Sequence, residues 1–261
     1  MATDNQNLKI ADIDIDDWID KDESLSVLEE SATETTLKYS KKIVAFLDLL
    51  GITDLVKNNT GGDEADVIAK MSSIKHIVDY ELEQIEEEII MLYISDSFIF
   101  VAEPDIVTYV LKVLSVIQTR ILIEQHILLR GAIEYGDVII QDLGKQIIGP
   151  AYIDAYTNQE HNAIYPRIIL GQSIIDLIND SSDKRLIQSY DGLYSLDYID
   201  VYMEMNKETK VKISTRLRRE HVFSFLNEMY IKYLNADKIS IYTKYAWTIN
   251  YLKEKEVWEN E

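Results

Sequence analysis

Hydrophobic and polar residues follow one another along this chain in blocks that switch between the spacing of a strand and the spacing of a helix. Short apolar runs bounded by glycine or small polar residues predict strands, at 42–50, 88–101, 130–141 and 167–170. Apolar residues that recur every three or four positions predict helices at 63–89, either one long helix or two joined by a bend, and at 105–127. A further helix is predicted at 149–158. Small polar residues at 95–97 favour a tight turn, which divides the second strand segment into a hairpin.

The order of these elements is β, α, β, β, α, β, which is the order of a split ferredoxin-like core. We therefore predict an α+β protein, an α/β sandwich with a palm-like βαββαβ core. Later in the chain the pattern predicts a helix, a Tyr-rich strand-like segment and two further helices, at 171–179, 193–202 and 216–256. These divisions predict an N-terminal arm at 1–38, a core at 39–180 and a mostly helical C-terminal extension at 181–261 that packs on the core.

The composition fits a protein with a sizeable core, since 47% of the 261 residues are hydrophobic and 28% are charged. The absence of cysteine excludes disulfides and thiolate metal ligands. The four histidines lack the spacing of zinc ligands. The polar N-terminus and the regular interruption of apolar stretches by charge predict neither a signal peptide nor a membrane span. We therefore expect a cytoplasmic protein.

The net charge of −20 argues against partners that are themselves anionic surfaces, namely nucleic acids and acidic membranes. The acidity is concentrated at the start of the chain, where residues 1–40 contain 11 Asp or Glu and 3 Lys. We interpret this arm as solvated and partly flexible. An alternative is a protein-interaction role, in which the arm docks onto a neighbouring subunit through its apolar residues Ile13, Ile15, Trp18 and Ile19.

Two aspartates stand alone beside otherwise apolar strands: Asp48 in IVAFLDLLG and Asp96 in MLYISDSFIFV. A buried carboxylate without a partner is costly, or its pKa rises until it is neutral. A shared cation removes this cost, and Mg²⁺ prefers one or two carboxylates with water and substrate phosphates in its remaining positions. The pair therefore predicts phosphoryl chemistry on a nucleotide. The alternative is that each aspartate only caps a turn or a helix start.

Four stretches of the chain carry a common signature: FLDLLG (46–51), ISDSFIF (94–100), RGAIEYGDVI (130–139), and GPAYIDAY (149–156) followed by YPR (165–167). In this order and spacing they resemble the class III nucleotide cyclases, and most closely the pyrimidine cyclases of Pycsar antiphage defence. The resemblance covers roughly residues 40–200. It implies a homodimer that converts UTP, or alternatively CTP, to the 3′,5′-cyclic monophosphate and diphosphate. The product would act on a separately encoded effector.

The resemblance also assigns roles to residues around the first strand. Asp48 and Asp96 would bind two metal ions per active site, Mn²⁺ or Mg²⁺, and the main chain of Leu49 would add a carbonyl ligand. The loop after Asp48 would hold the substrate phosphates with its backbone amides; it consists of Leu49, Leu50, Gly51 and Ile52.

The base pocket is predicted on the strand before the hairpin turn. Purine cyclases of this family carry a polar base-reading side chain there, whereas this chain has the apolar Leu92. Tyr93 would bind the substrate and narrow the pocket toward a pyrimidine. The alternative is that Tyr93 packs in the core.

The chain departs from the family where class III cyclases carry an Asn and, four residues later, an Arg that stabilise the transition state. Here those positions hold Ile153 and Thr157. Arg167 or Arg130 would then supply the positive charge, and Arg167 is the first choice because a planar guanidinium matches phosphate geometry. The alternative is a catalytically degenerate module that binds nucleotides or dimerises.

Overall fold

The computed structural model describes residues 38–58, 64–85, 88–141, 146–178, 185–209 and 215–255. The predicted N-terminal arm, except for its last residue, lies outside the described residues. All elements described below belong to one unit, Lys38–Glu261.

A mixed sheet organises the fold. Its strands within the described residues are β1 (Ser40–Leu50), β2 (Ile90–Ile94), β3 (Ser97–Ala102), β4 (Leu128–Gln141), β5 (Gln146–Ile148), β6 (Ile168–Leu170), β7 (Leu186–Gln188) and β8 (Tyr194–Leu196). They lie in the order β2-β3-β1-β4-β6-β8-β7, and β5 forms a hairpin with β4. β1 is antiparallel to both β3 and β4, whereas β4 and β6 are parallel. The hairpin of β2 and β3 therefore lies directly beside β1.

Helices cover the sheet and form most of the C-terminal extension. Those described are α1 (Ile52–Asn58), α2 (Glu64–Glu83), α3 (Val107–Gln125), α4 (Pro150–His161), α5 (Gln172–Ile178), α6 (Tyr198–Thr209), α7 (Thr215–Asn235) and α8 (Ile239–Lys253). The strands and helices together confirm the predicted α+β class, and the predicted core elements are present in the predicted order.

The two faces of β1 point into two different hydrophobic clusters because side chains alternate along a strand. Leu47 and Leu49 belong to the cluster formed with α2 and α3. Val44 and Phe46 belong to a smaller cluster formed with α4. Asp48 continues the second series, so its side chain lies on the α4 face of the sheet where the apolar cluster ends.

Helix α3 is a core helix. The segment Pro104–Gln125 is long and apolar enough to cross a membrane, but 67% of its most apolar window is buried inside the protein. Its side chains enter both the cluster beneath the sheet and the cluster formed by the C-terminal helices. Its apolar character is therefore explained by packing on two sides.

The C-terminal extension departs from the sequence prediction at one point. The strand-like prediction for 193–202 was wrong from residue 198 onward, because only Tyr194–Leu196 forms a strand and α6 begins at Tyr198. Tyrosines favour strands, but Tyr198, Ile199, Tyr202 and Met203 are buried in one cluster with residues of α3. Their spacing is that of a helix face, and packing overrides the local preference.

Candidate functional site

The end of β1 and the turn of the β2–β3 hairpin bring Asp48 and Asp96 together. Asp48 pairs with Ser97 in the register of β1 and β3. The N–H of Leu49 donates a hydrogen bond to the carbonyl oxygen of Asp96 at 3.0 Å. The hairpin turn is tight, with Ser95 in the left-handed region at φ 57°. The two aspartates are therefore neighbours, as the sequence analysis expected, and their metal-binding role stays a prediction.

Asp48 is half-buried and has two hydrogen-bond donors, both directed at the same oxygen. Nε of Arg130 donates to Oδ2 at 3.0 Å, and Nε2 of Gln159 on α4 donates to Oδ2 at 3.4 Å. Burial raises the pKa of Asp48, the hydrogen bond and charge of Arg130 lower it, and the nearby charge of Asp96 raises it again, with a net increase. The anionic form of this carboxylate would therefore gain from a further cation.

Arg130 reaches Asp48 because their strands are in register. The two residues are direct partners between β1 and β4, so their side chains share the α4 face of the sheet. The adjacent Gly131 permits the close approach of the strands: a Cβ there would lie 2.3 Å from Cδ2 of Leu47 and 2.7 Å from the carbonyl oxygen of Phe46. Of the two arginines predicted to stabilise charge, Arg130 is the one in contact with Asp48.

Arg167 is 1% exposed and is held elsewhere. Its guanidinium forms an ion pair with Asp191, a residue of the turn between β7 and β8, and Nη1 donates to Oδ1 of Asp191 at 3.3 Å. It also lies over the ring of Tyr165, 5.9 Å from the ring centre. Arg167 therefore contacts Asp191 and Tyr165, and it has no contact with Asp48 or Asp96 in the described residues. Its predicted catalytic role stays a prediction.

The base-pocket residues lie on opposite faces of β2. Tyr93 pairs with Phe98 and stacks on its ring, with centroids 4.7 Å apart and planes inclined by 20°. Phe98 belongs to the core between the sheet and α2–α3. Tyr93 therefore packs against the core, which is the alternative given for it in the sequence analysis. Leu92 points to the other face, where it packs in the α4 cluster on the side of Asp48.

The loop after Asp48 is built around a glycine. Gly51 has φ 91° and connects β1 to α1, whose first turn closes with a hydrogen bond from Leu55 N–H to the Gly51 carbonyl at 3.0 Å. Leu49 and Ile52 are buried in the core. Leu50 is half-buried and lines a cavity with Gly51. The side chains of this loop thus serve packing, and its predicted phosphate contacts would come from the backbone.

Lys244 on α8 is a further charged group that acts on Asp48, and it was not predicted from the sequence. It lines the cavity that contains Leu50 and Gly51, which has a volume of about 180 Å³. Burial and the charge of Arg130 lower the pKa of Lys244, and the charge of Asp48 raises it. The one sequence feature that points to Lys244 is its position four residues before the buried Thr248, which places both residues on the same face of α8. The pattern does not reveal which segment of the chain this face contacts.

The donor set at the two aspartates fits a hard divalent cation. Among the described residues no group of three or more His, Cys, Asp or Glu side chains could hold a metal, so the protein offers two carboxylates here. Both hydrogen bonds to Asp48 reach Oδ2, and no described side chain forms a hydrogen bond or ion pair with the Asp96 carboxylate. Two carboxylates, with the Leu49 carbonyl that the resemblance assigns, would leave positions for water and phosphate, as Mg²⁺ and Mn²⁺ require.

Comparisons with known proteins identify the fold. No protein-family model matches the chain, and no curated protein matches it in sequence. The monomeric guanylyl cyclase domain of the RhoGC fusion protein from the aquatic fungus Blastocladiella emersonii matches it with a TM-score of 0.50 and 17% identity, over 61% of this chain and 95% of that domain. This chain has the class III cyclase fold.

Two further solved structures are similar. The catalytic core of a rhodopsin-guanylyl cyclase with converted specificity, in complex with ATPαS, has a TM-score of 0.49 and 17% identity, over 62% of this chain and 98% of that one. A bacterial light-regulated adenylyl cyclase has a TM-score of 0.47 and 16% identity, over 67% of this chain and 62% of that one.

Proposed function

We propose that this protein is a metal-dependent nucleotide cyclase that converts a nucleoside triphosphate to its 3′,5′-cyclic monophosphate and diphosphate. The observation that carries the proposal is the juxtaposition of Asp48 and Asp96 at the end of β1 and in the adjacent hairpin turn. Two isolated carboxylates brought together on this fold, one of them half-buried with a raised pKa, form a site for cations that hold a triphosphate.

The reaction requires the 3′-hydroxyl to lose its proton and its oxygen to bond to the α-phosphorus while the bond to the departing diphosphate breaks. Divalent ions held by Asp48, Asp96 and the Leu49 carbonyl would acidify the hydroxyl and stabilise the charged phosphates. Arg130 holds Asp48 through Oδ2 and favours its ionised form. Gln159 is buried and fixes the same oxygen from α4. The chain thus orients one carboxylate from both sides.

The substrate we propose is a pyrimidine nucleotide, UTP in the first place and CTP as the alternative. The apolar Leu92 lies on the same face of the sheet as Asp48 and offers no hydrogen bond to a purine edge. The pattern of short motifs that resembles the pyrimidine cyclases supports the same choice. Within this proposal the protein is cytoplasmic, and its cyclic product acts on a separately encoded effector in antiphage defence.

A homodimer is part of the proposal, because one copy of the core supplies the aspartates but incomplete charge stabilisation for the transition state. Both copies lack the family's Asn and Arg, so a different residue would supply this charge. The corresponding Ile153 and Thr157 are both exposed on α4. Ile153 is 58% exposed and the nearby Tyr156 is 43% exposed, which gives this helix an apolar outer surface suited to a partner. Sedimentation velocity of the full chain should show a dimer, and a strictly monomeric but active protein would contradict this part of the proposal.

The test of the activity is to incubate the purified protein with each of the four nucleoside triphosphates and Mn²⁺ or Mg²⁺, and to separate the products. We expect cyclic UMP as the main product. A cyclic purine as the main product would contradict the pyrimidine assignment and leave the cyclase activity standing. The absence of a cyclic product from every nucleotide would contradict the cyclase proposal itself.

The second candidate is a module that binds nucleotides or dimerises without catalysis. It is favoured by Ile153 and Thr157 in place of the family's Asn and Arg, and by the engagement of Arg167 with Asp191. Titration calorimetry combined with the product assay distinguishes the two candidates. The second candidate predicts metal-dependent nucleotide binding in the calorimeter and no product in the assay.

A further inference from the structure

The last two helices wall a cavity at the junction of β1 and α1. The cavity of about 180 Å³ is lined on one side by residues of that junction and on the other by α7 and α8; its lining residues are Leu50, Gly51, Thr53, Asp54, Leu128, Tyr233, Ile241, Lys244 and Tyr245. The junction is the loop that follows Asp48 directly. A ligand held at Asp48 and Asp96 would therefore extend toward groups supplied by the C-terminal extension.

Lys244 is the cation that α8 presents to this cavity. It is half-buried, and no carboxylate of the described residues lies within ion-pair distance of its ammonium group. It interacts electrostatically with Arg130 and Asp48. A half-buried ammonium beside a guanidinium is unfavourable unless an anion joins them. Among the described residues Lys244 is therefore a cation of this region without an ion-pair partner.

The acidic residue in the cavity wall does not neutralise Lys244. Oδ2 of Asp54 accepts a hydrogen bond from the Tyr233 hydroxyl at 2.9 Å and lies 3.9 Å from Nζ of Lys238. Asp48 is likewise engaged by Arg130. Both carboxylates near the cavity therefore have partners of their own, and Lys244 is left as the donor available to a bound anion.

We propose that Lys244 binds the phosphate chain of the nucleotide, on the part that leaves as diphosphate. The inference rests on the proposed cyclase function and assigns to the C-terminal extension a direct share in the site. A lysine suits this task because its ammonium is a compact charge with three donors on a flexible stem. The contact does not involve the base, so Lys244 contributes to affinity for every nucleotide that the site accepts.

The test is a steady-state comparison of wild type, Lys244→Gln, Lys244→Arg and the matched control Lys253→Gln. Lys253 lies on the same helix but is exposed, and it does not line this cavity. Loss of one charged hydrogen bond to phosphate should raise KM for the nucleotide about tenfold or more in Lys244→Gln. Lys244→Arg should recover most of the affinity, and Lys253→Gln should behave as wild type.

Inhibition by added inorganic diphosphate separates a phosphate contact from a structural role. In Lys244→Gln the inhibition constant for diphosphate should rise by a factor similar to that in KM, while the ratio of kcat/KM between two nucleotides stays the same. A lowered melting temperature and kcat with unchanged KM and unchanged diphosphate inhibition would show that Lys244 only balances the charge of Asp48, and would overturn the inference.

The failure of this inference is distinguishable from the failure of the proposed function. If wild type turns over and Lys244→Gln has an unchanged KM, the cyclase stands and the role of Lys244 is refuted. If wild type forms no cyclic product, calorimetry with inorganic triphosphate and Mn²⁺ replaces the kinetics. Binding weakened about tenfold or more in Lys244→Gln then supports the phosphate contact, and equal binding by both proteins overturns it.

Discussion

Replacing Asp191 with asparagine is expected to destabilise the fold, because it removes the charge that neutralises a buried guanidinium. Arg167 is 1% exposed, and its Nε has no hydrogen-bond partner among the described residues. Loss of one partner of a fully buried ion pair costs about 3–5 kcal/mol. The Asp191 side chain is 43% exposed, and water offsets part of this loss, so we expect about 2–3 kcal/mol.

Thermal unfolding monitored by circular dichroism measures this loss. For a folded unit of this size each kcal/mol lowers Tm by about 2–4 °C, which gives a decrease of about 4–12 °C for Asp191→Asn. The matched control is Asp105→Asn, because Asp105 is exposed and should leave Tm within about 2 °C of wild type. Cyclase turnover, measured well below both transitions, should remain close to wild type in both variants.

The pH dependence of the Tm difference gives a second measurement on the same variant. Burial acts to raise the pKa of Asp191, but the hydrogen bond and charge of Arg167 outweigh it and hold the pKa below its ordinary value of 3.8. A carboxyl whose pKa is lower in the folded state stabilises the fold above its unfolded pKa and loses that contribution as the pH falls through the folded value. The Tm difference should therefore stay constant from about pH 8 to about pH 5 and narrow only below about pH 4.

One result would refute this reasoning. If Asp191→Asn keeps the Tm of wild type and instead loses turnover, then Arg167 is not a packing residue. It would then act as the catalytic cation that the sequence analysis preferred.

Arg130→Gln removes the 3.0 Å hydrogen bond to Asp48 and lets the pKa of that carboxyl rise further. Cyclic product formation at pH 7 should therefore fall about tenfold or more. Unchanged turnover would show that Arg130 has no role in the reaction. Gly131→Ala would place a Cβ 2.3 Å from a β1 side chain and should lower the free energy of unfolding, measured by thermal melting, by about 1–3 kcal/mol. Gly136→Ala, whose Cβ would be 3.3 Å from its nearest contact, should lower it less. Equal stabilities of the two variants would contradict the packing described. Deletion of 1–38 should leave most of the turnover, and a complete loss would favour a role for the acidic arm in the active assembly.

The parts of the fold that the sequence predicted are those in which local pattern and packing agree. The apolar run of β1 and the three-to-four spacing of α2 and α3 point to the same elements that the tertiary clusters then bury. The proximity of Asp48 and Asp96 was predicted on other grounds: a shared cation for two isolated carboxylates, and the resemblance to the class III cyclases. At 198–202 the local residue preference favours a strand, whereas packing against α3 favours a helix, and the structure has a helix.

The parts of the site that the sequence did not predict depend on contacts between distant segments. Arg167 could not be separated from Arg130 by residue type, because only the register of β1 with β4 and the turn that carries Asp191 distinguish them. Lys244 comes from the far end of the chain, and its approach to Asp48 depends on how α8 packs. Neither the apolar period nor a short motif contains that information.

The most direct test of the central claim is product formation by wild type and Asp96→Asn with UTP and Mn²⁺. The amide keeps the shape of the side chain and removes the charge that would bind the metal. We predict that wild type forms cyclic UMP and diphosphate in equal amounts, and that the variant forms about a hundredfold less of both while it unfolds at the same temperature. Normal turnover by Asp96→Asn, or diphosphate release by wild type without a cyclic product, would contradict the account.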